Sequence, residues 1–228
     1  MAEGTMAENR VVIYTAGMSD VRWFDRRFVK TLRGAGMRVL VNRWCRSWWP
    51  LKNLRDRSQH EDAGRELGEM VARLREESSK GDGIGEIVLA GHSTGCLITL
   101  EMLERLGEPI DRALLLAAAV RPDYDLRGAL DGARRVDHFW SYLDPACSWG
   151  TAVAGTADGA YRWAAGATGF SGPGSDDGRF VQHRFEKGWA MHGHIGGHTT
   201  CLHPRFVMNV VLPVLRCGAE ASGRSGTD

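Results

Sequence analysis

Leu89-Ala90-Gly91-His92-Ser93-Thr94-Gly95-Cys96 is the stretch whose reading decides the fold. Just before it, Glu86-Ile87-Val88-Leu89-Ala90 is the apolar, β-branched run expected of a buried strand. Just after it, residues 95–106 read as a helix. Strand, sharp turn and helix thus follow one another without spacer. A turn this tight pushes its middle residue toward strained dihedrals, and the flanking Gly91 and Gly95 remove Cβ atoms that would collide there. Ser93 is thereby held out of the sheet at a helix N-terminus. Backbone N–H groups and the helix dipole there favour the negative charge that develops on the oxygen of an attacked carbonyl.

The same alternation extends outward in both directions. Val11-Val12-Ile13-Tyr14-Thr15 is a short strand stopped by Ala16-Gly17. Residues 20–36 place Phe24, Phe28, Val29 and Leu32 at helical spacing, and residues 38–41 form the next strand. Beyond a Trp-rich loop at 44–50, residues 59–78 repeat Leu67, Met70, Val71 and Leu74 on one helix face. Further strands are expected at 112–120, 134–142 and 179–185. A last helix at 204–215 sets Phe206, Val207, Val210, Val211 and Leu215 on one side. Residues 150–175 are rich in small side chains and support only a short helix around Tyr161 to Ala165. Strands alternating with helices predict an α/β chain with a mostly parallel sheet of about six strands and helices on both faces.

With 228 residues, 43% of them hydrophobic, the chain can bury the core of one compact domain. The expected division is a flexible N-terminus at 1–10, the domain at 11–216 and a disordered tail at 217–228. Its 29 basic and 28 acidic residues leave a formal charge of +1, which gives no bias toward nucleic acid or an anionic surface. Cys45, Cys96, Cys147, Cys201 and Cys217 are odd in number and lack CxxC spacing, so reduced, buried thiols are expected rather than a disulfide framework or a thiolate zinc site. No apolar stretch reaches the roughly 20 residues of a membrane span, and the N-terminus carries no export signal. A soluble, cytoplasmic protein without membrane insertion is the expectation.

With GxSxG set between strand and helix, the chain resembles the α/β-hydrolase superfamily from about Val11 to Leu215. The resemblance implies a nucleophile, an acid and a histidine in that chain order, the acid after a later strand and the histidine before the last helix. Ser93 is then the nucleophile. Asp144 is the acid, following Phe139-Trp140-Ser141-Tyr142 and preceding Pro145, with Asp123 and Asp125 as alternatives. His198, in Gly193-His194-Ile195-Gly196-Gly197-His198-Thr199-Thr200, is the general base and later general acid, with His192 and His194 as competitors. Two oxyanion donors are implied, the amides of Thr94 and of Met18 in Thr15-Ala16-Gly17-Met18-Ser19. Ala16-Gly17 stands where the family usually has His-Gly, which leaves Met18 against Gly17 open.

The remaining signals are weaker. His192, His194, His198 and His203 could be read as a metal site, but the triad already gives one of these histidines a task, and neither metal nor cofactor is expected. Trp44, Trp48 and Trp49, with Gly17, either line a substrate pocket or pack the loop on the domain. Trp149 and Trp163 are candidates for a further wall. Arg22, Arg26, Arg27 and Lys30 read as a solvated helix face. The short interval between the strands ending near Val120 and beginning near Arg134 predicts no large cap, hence an open site for soluble or short-chain esters. The expected activity is a serine hydrolase acting on a small-molecule ester. An acyltransferase or thioesterase on the same triad, or a non-catalytic binding module, is the alternative.

Overall fold

The six short apolar runs pair into a single sheet in the order β2-β1-β3-β4-β5-β6, every pairing parallel. The structure is a computed structural model, and it describes residues 9–81 and 83–216. The strands are β1 (Arg10–Thr15), β2 (Arg38–Asn42), β3 (Glu86–His92), β4 (Arg112–Leu116), β5 (Val136–Trp140) and β6 (Phe180–Arg184). β1 and β3 are interior strands, paired Val12 to Val88 and Leu89 to Ile13, and are buried on both faces. That explains why their sequences are continuous apolar runs rather than alternations. The expected flexible N-terminus (residues 1–8 of it), the expected tail at 217–228 and Cys217 fall outside the described residues.

Helices cover both faces. On one side, α1 (Trp23–Gly34) and a C-terminal helical segment through Pro204–Phe206, Val207–Val211 and Leu212–Arg216 bury Phe28, Leu32, Phe206, Val211 and Leu215 against Val12, Val88 and Leu114. On the other, α3 (Arg57–Ser79) and α4 (Gly95–Leu103) bury Leu67, Val71, Leu97 and Ile98 against Ile13, Leu89 and Leu115. Each fully buried side chain of this size contributes about 1.5–3 kcal/mol through the hydrophobic effect. Between β2 and α3 lies α2 (Pro50–Arg55), opened by a proline at its first turn, in an interval where the sequence pattern predicts no element.

Three elements depart from expectation. β4 ends at Leu116 instead of Val120, because Ala117 takes a left-handed φ of 49° and turns the chain around Ser93. β5 is two residues shorter at each end than the predicted strand. The short helix expected at 161–165 is a single turn at Ala165–Thr168, where the amides of Ala165 and Gly166 donate to the carbonyls of Val120 and Ala118. The connection from β4 to β5 carries only α5 (Arg127–Asp131). The longer stretch is 141–179, between β5 and β6, and it lies along the carboxyl ends of the strands through those bonds and the Ala157 amide on the Ala119 carbonyl.

Candidate active site

In a parallel sheet every strand delivers its following loop to the same edge, so the loops after β1, β3 and β5 meet there. β3 runs into α4 through the Gly91–Gly95 turn, and Ser93 sits in it at φ 55°. A non-glycine residue in that region costs about 1–3 kcal/mol and persists only where its surroundings fix it. Here Ser93 N–H donates to the Leu116 carbonyl at 3.0 Å, and the Ser93 carbonyl accepts from Ala119 N–H at 3.2 Å. Both motif glycines are required by close approach. A Cβ on Gly95 would lie 2.2 Å from the Thr15 carbonyl oxygen, and one on Gly91 would lie 2.8 Å from Cys96 Cα.

The structure brings the three expected side chains together. Ser93 Oγ donates to His198 Nε2 at 2.9 Å, and His198 Nδ1 donates to Asp144 Oδ2 at 2.7 Å. The two partners fix the imidazole tautomer, with its proton on Nδ1 and its lone pair toward the hydroxyl. Asp144 Oδ1 accepts from the backbone amides of Ala146 and Cys147 at 2.9 and 3.0 Å, in the helical turn Ala146–Gly150 that follows it. Burial by itself would raise the Asp144 carboxyl, but the His198 hydrogen bond and charge and the Cys147 amide outweigh it, so its pKa is held below the usual value. Asp144 is buried, Ser93 is 7% exposed, and the half-open member is His198.

The alternatives lie elsewhere. Asp123 pairs with Arg162 at 3.0 Å, and Asp125 is clamped by Arg127 at 2.6 Å, whose hydrogen bonds pull its carboxyl down to about 2. His194 is buried against Trp189 with Nδ1 2.7 Å from Thr200 Oγ1, and burial pushes its pKa down to about 4. His192 accepts, through its carbonyl, a bond from His203 Nδ1. The four histidines of 192–203 therefore do not converge. Among the described residues, the His, Cys, Asp and Glu side chains close enough to share a cation are Asp144, Cys147 and His198, with ligand atoms within 4.8 Å of one another.

The loop after β1 lies against the nucleophile: a Cβ on Gly17 would come within 3.1 Å of Ser93 Cβ. The amides of Met18 and Thr94 donate to no acceptor among the described residues, which leaves both available to a bound oxygen. The tryptophans divide. Trp44 is not a pocket residue; it is buried, stacks edge-on to His60 and donates from Nε1 to the Ala16 carbonyl at 2.8 Å. Trp48 and Trp49 are exposed and paired edge to face, and Trp49 borders a surface depression with Leu51, Lys52 and Arg55. Trp149 and Trp163 form a second exposed pair at 5.7 Å.

Two contributors were missed in the sequence. His92, inside the motif, is buried at the end of β3 and donates from Nε2 to the His198 carbonyl at 3.1 Å. Burial, then the proximity of His198, pushes its pKa down to about 3, so it is a neutral donor. Its adjacency to Ser93 was a usable signal. Asn53 in α2 holds the loop after β1, donating from Nδ2 to the Met18 carbonyl at 2.9 Å. Nothing local in the sequence marks it.

No family model and no curated protein matches the sequence. Solved structures do match it. A serine hydrolase without a lid from Xanthomonas campestris is 13% identical, with a TM-score of 0.53 over 99% of this chain and 87% of that one. Est1E from Butyrivibrio proteoclasticus, solved with ferulic acid bound, is 12% identical, with a TM-score of 0.52 over 96% and 93%. An extracellular α/β-hydrolase from a Paenibacillus species is 11% identical, with a TM-score of 0.53 over 90% and 98%. The chain has the α/β-hydrolase fold. Among the described residues no helix is long and apolar enough to cross a membrane.

Proposed function

We propose that the protein is a serine hydrolase that cleaves carboxylic esters of small molecules through an acyl-enzyme on Ser93. The observation that carries this reading is the unbroken chain from Ser93 Oγ through His198 to Asp144, at 2.9 and 2.7 Å. His198 Nε2 takes the hydroxyl proton as Ser93 Oγ attacks the ester carbonyl. Asp144 keeps the imidazole in the required tautomer and stabilises the imidazolium. The amides of Thr94 and Met18 are the proposed donors to the oxyanion, worth about 2.7–4 kcal/mol of barrier for one such donor. His198 then returns the proton to the departing alkoxide, and water, activated by the same base, releases the acid.

The short connection from β4 to β5 and the lid-free neighbour support an open site suited to soluble or short-chain esters, with Trp48, Trp49 and Gly17 as substrate contacts. The unpaired thiols of Cys45, Cys96, Cys147 and Cys201 fit a cytoplasmic location. Release of nitrophenol from esters graded by acyl length tests the reading. Turnover highest on acetyl to butyryl esters and absent in Ser93→Ala is expected; preference for emulsified long-chain triglycerides would overturn the substrate class. Adding an alcohol acceptor separates hydrolysis from acyl transfer, since only transfer diverts the acyl group into a new ester.

A further inference from the structure

His198 has a second polar neighbour on the Asp144 side. Cys147 Sγ lies 3.6 Å from His198 Nδ1, one helical turn after Asp144, and no step of ester cleavage calls on its thiol. Backbone encloses the sulfur on its other sides. The Ala117 carbonyl is 3.3 Å away, and a Cβ on Gly166 would come within 2.5 Å of the sulfur. The thiol therefore faces the edge of the imidazole and the carboxylate. Thiolate, imidazole and carboxylate together form a donor set for zinc or a softer divalent cation.

Geometry and charge both suit such an ion. Zinc ligands at about 2.0–2.3 Å in a tetrahedron stand roughly 3.3–3.8 Å apart, so the sulfur-to-nitrogen separation of 3.6 Å already fits. The His198 to Asp144 contact of 2.7 Å must open by about 0.6–1 Å. Two positive charges on the ion meet a thiolate and a carboxylate, which leaves the buried site neutral. Of the three, His198 alone is partly exposed, so an ion reaches Asp144 and Cys147 past its ring.

We propose that Cys147 Sγ, Asp144 Oδ2 and His198 Nδ1 form an inhibitory site for zinc and softer divalent cations. Its effect on turnover rests on the triad reading above, whereas binding does not. Protons balance as follows. Burial, then the Asp144 charge, keeps the Cys147 thiol protonated at neutral pH, and binding releases that proton to solvent. His198 stays neutral, but its proton moves from Nδ1, now a ligand, to Nε2. An imidazole with its proton on Nε2 faces the Ser93 hydroxyl as a donor and cannot accept its proton, so the base is switched off.

The test is a titration of the chelator-treated protein with zinc chloride by calorimetry in two buffers of different ionisation heat. Nitrophenyl acetate turnover is followed in parallel. One ion bound with release of one proton, and loss of turnover reversed by chelator, is expected. Cys147→Ala and Cys147→Ser, each compared with its own zinc-free rate, raise the half-inhibitory concentration at least about 100-fold. Cadmium gives a thiolate-to-metal absorption band that both variants lose. Zinc binding or inhibition unchanged in both variants overturns the site. Cys147-dependent binding in a protein without ester turnover supports the site and breaks the hydrolase reading instead.

Discussion

The Ser93 turn and the segment from Trp44 to Asp56 both line the edge of the sheet, yet one was readable in the sequence and the other was not. At the turn, five consecutive residues write their own constraint: Gly91 packs on Cys96, Ser93 is left at positive φ, and Gly95, although its close neighbour is the distant Thr15 carbonyl, is marked by the motif itself. In the other segment, three tryptophans of equal promise separate only through distant partners. Trp44 turns inward because the Ala16 carbonyl and His60 await it, while Trp48 and Trp49 find none and stay exposed. Local constraint is legible; tertiary partnership is not.

Substitutions can break this contrast. The largest effects belong to the turn and the residues it engages: Ser93→Ala is expected to remove ester turnover, and Asp144→Asn to lower kcat about 10⁴-fold while the fold persists. Steady-state kinetics with a circular dichroism check reads both; near-normal kcat in Asp144→Asn would transfer the acid role elsewhere. Gly95→Ala drives a Cβ into the Thr15 carbonyl at 2.2 Å and is expected to cost more than about 3 kcal/mol in a urea melt. A near-native midpoint would show that the turn is less constrained than the contacts imply.

Trp44→Phe sharpens the comparison from the other side. It keeps a ring on His60 but leaves the buried Ala16 carbonyl without its donor, a loss of about 1–3 kcal/mol in chemical denaturation. The loop carrying Gly17 and Met18 loosens with it, so kcat should fall alongside stability. Trp48→Ala touches an exposed ring and should change stability by less than about 0.5 kcal/mol, with any kinetic change confined to KM. If Trp48→Ala proved the more destabilising of the two, the division of the tryptophans would be wrong.

Acid unfolding supplies a smaller, distributed test. His92 and His138 are held to about 3 and His194 to about 4, mainly by burial. An unfolded histidine titrates near 6.5, so below that pH the unfolded chain binds protons that the folded one refuses. Stability is therefore greatest above about pH 6.5 and falls as the pH drops toward 3 to 4. His92→Gln should remove part of that slope, leaving the shares of His138, His194 and His60, whose pKa burial also lowers. An unchanged slope would mean that His92 is not a buried neutral donor to His198.

The alternation of β1, α1, β2, α3, β3 and α4 was legible because each strand is an apolar run and each helix repeats its buried face, as Phe28 and Leu32 or Leu67 and Val71 do. The strand, turn and helix around Ser93 nominated it directly, whereas Asp144 and His198 were nominated by the chain order that the resemblance to the α/β-hydrolase superfamily implies. What escaped were features fixed by non-local partners. β4 stops at Leu116 because Ala117 turns left-handed around Ser93, and Asn53 matters through Met18, 35 residues away. Cys147 is the reduced, buried thiol that the sequence leads one to expect, but its place beside His198 depends on a contact 51 residues away along the chain.

The central claim is that Ser93 is an activated nucleophile, and reaction with a fluorophosphonate probe tests it most directly. Peptide mass spectrometry on the folded protein should find the adduct on Ser93, absent in Ser93→Ala and strongly slowed in His198→Ala. Folded wild-type protein without an adduct, or one equally labelled after loss of His198, would contradict the account.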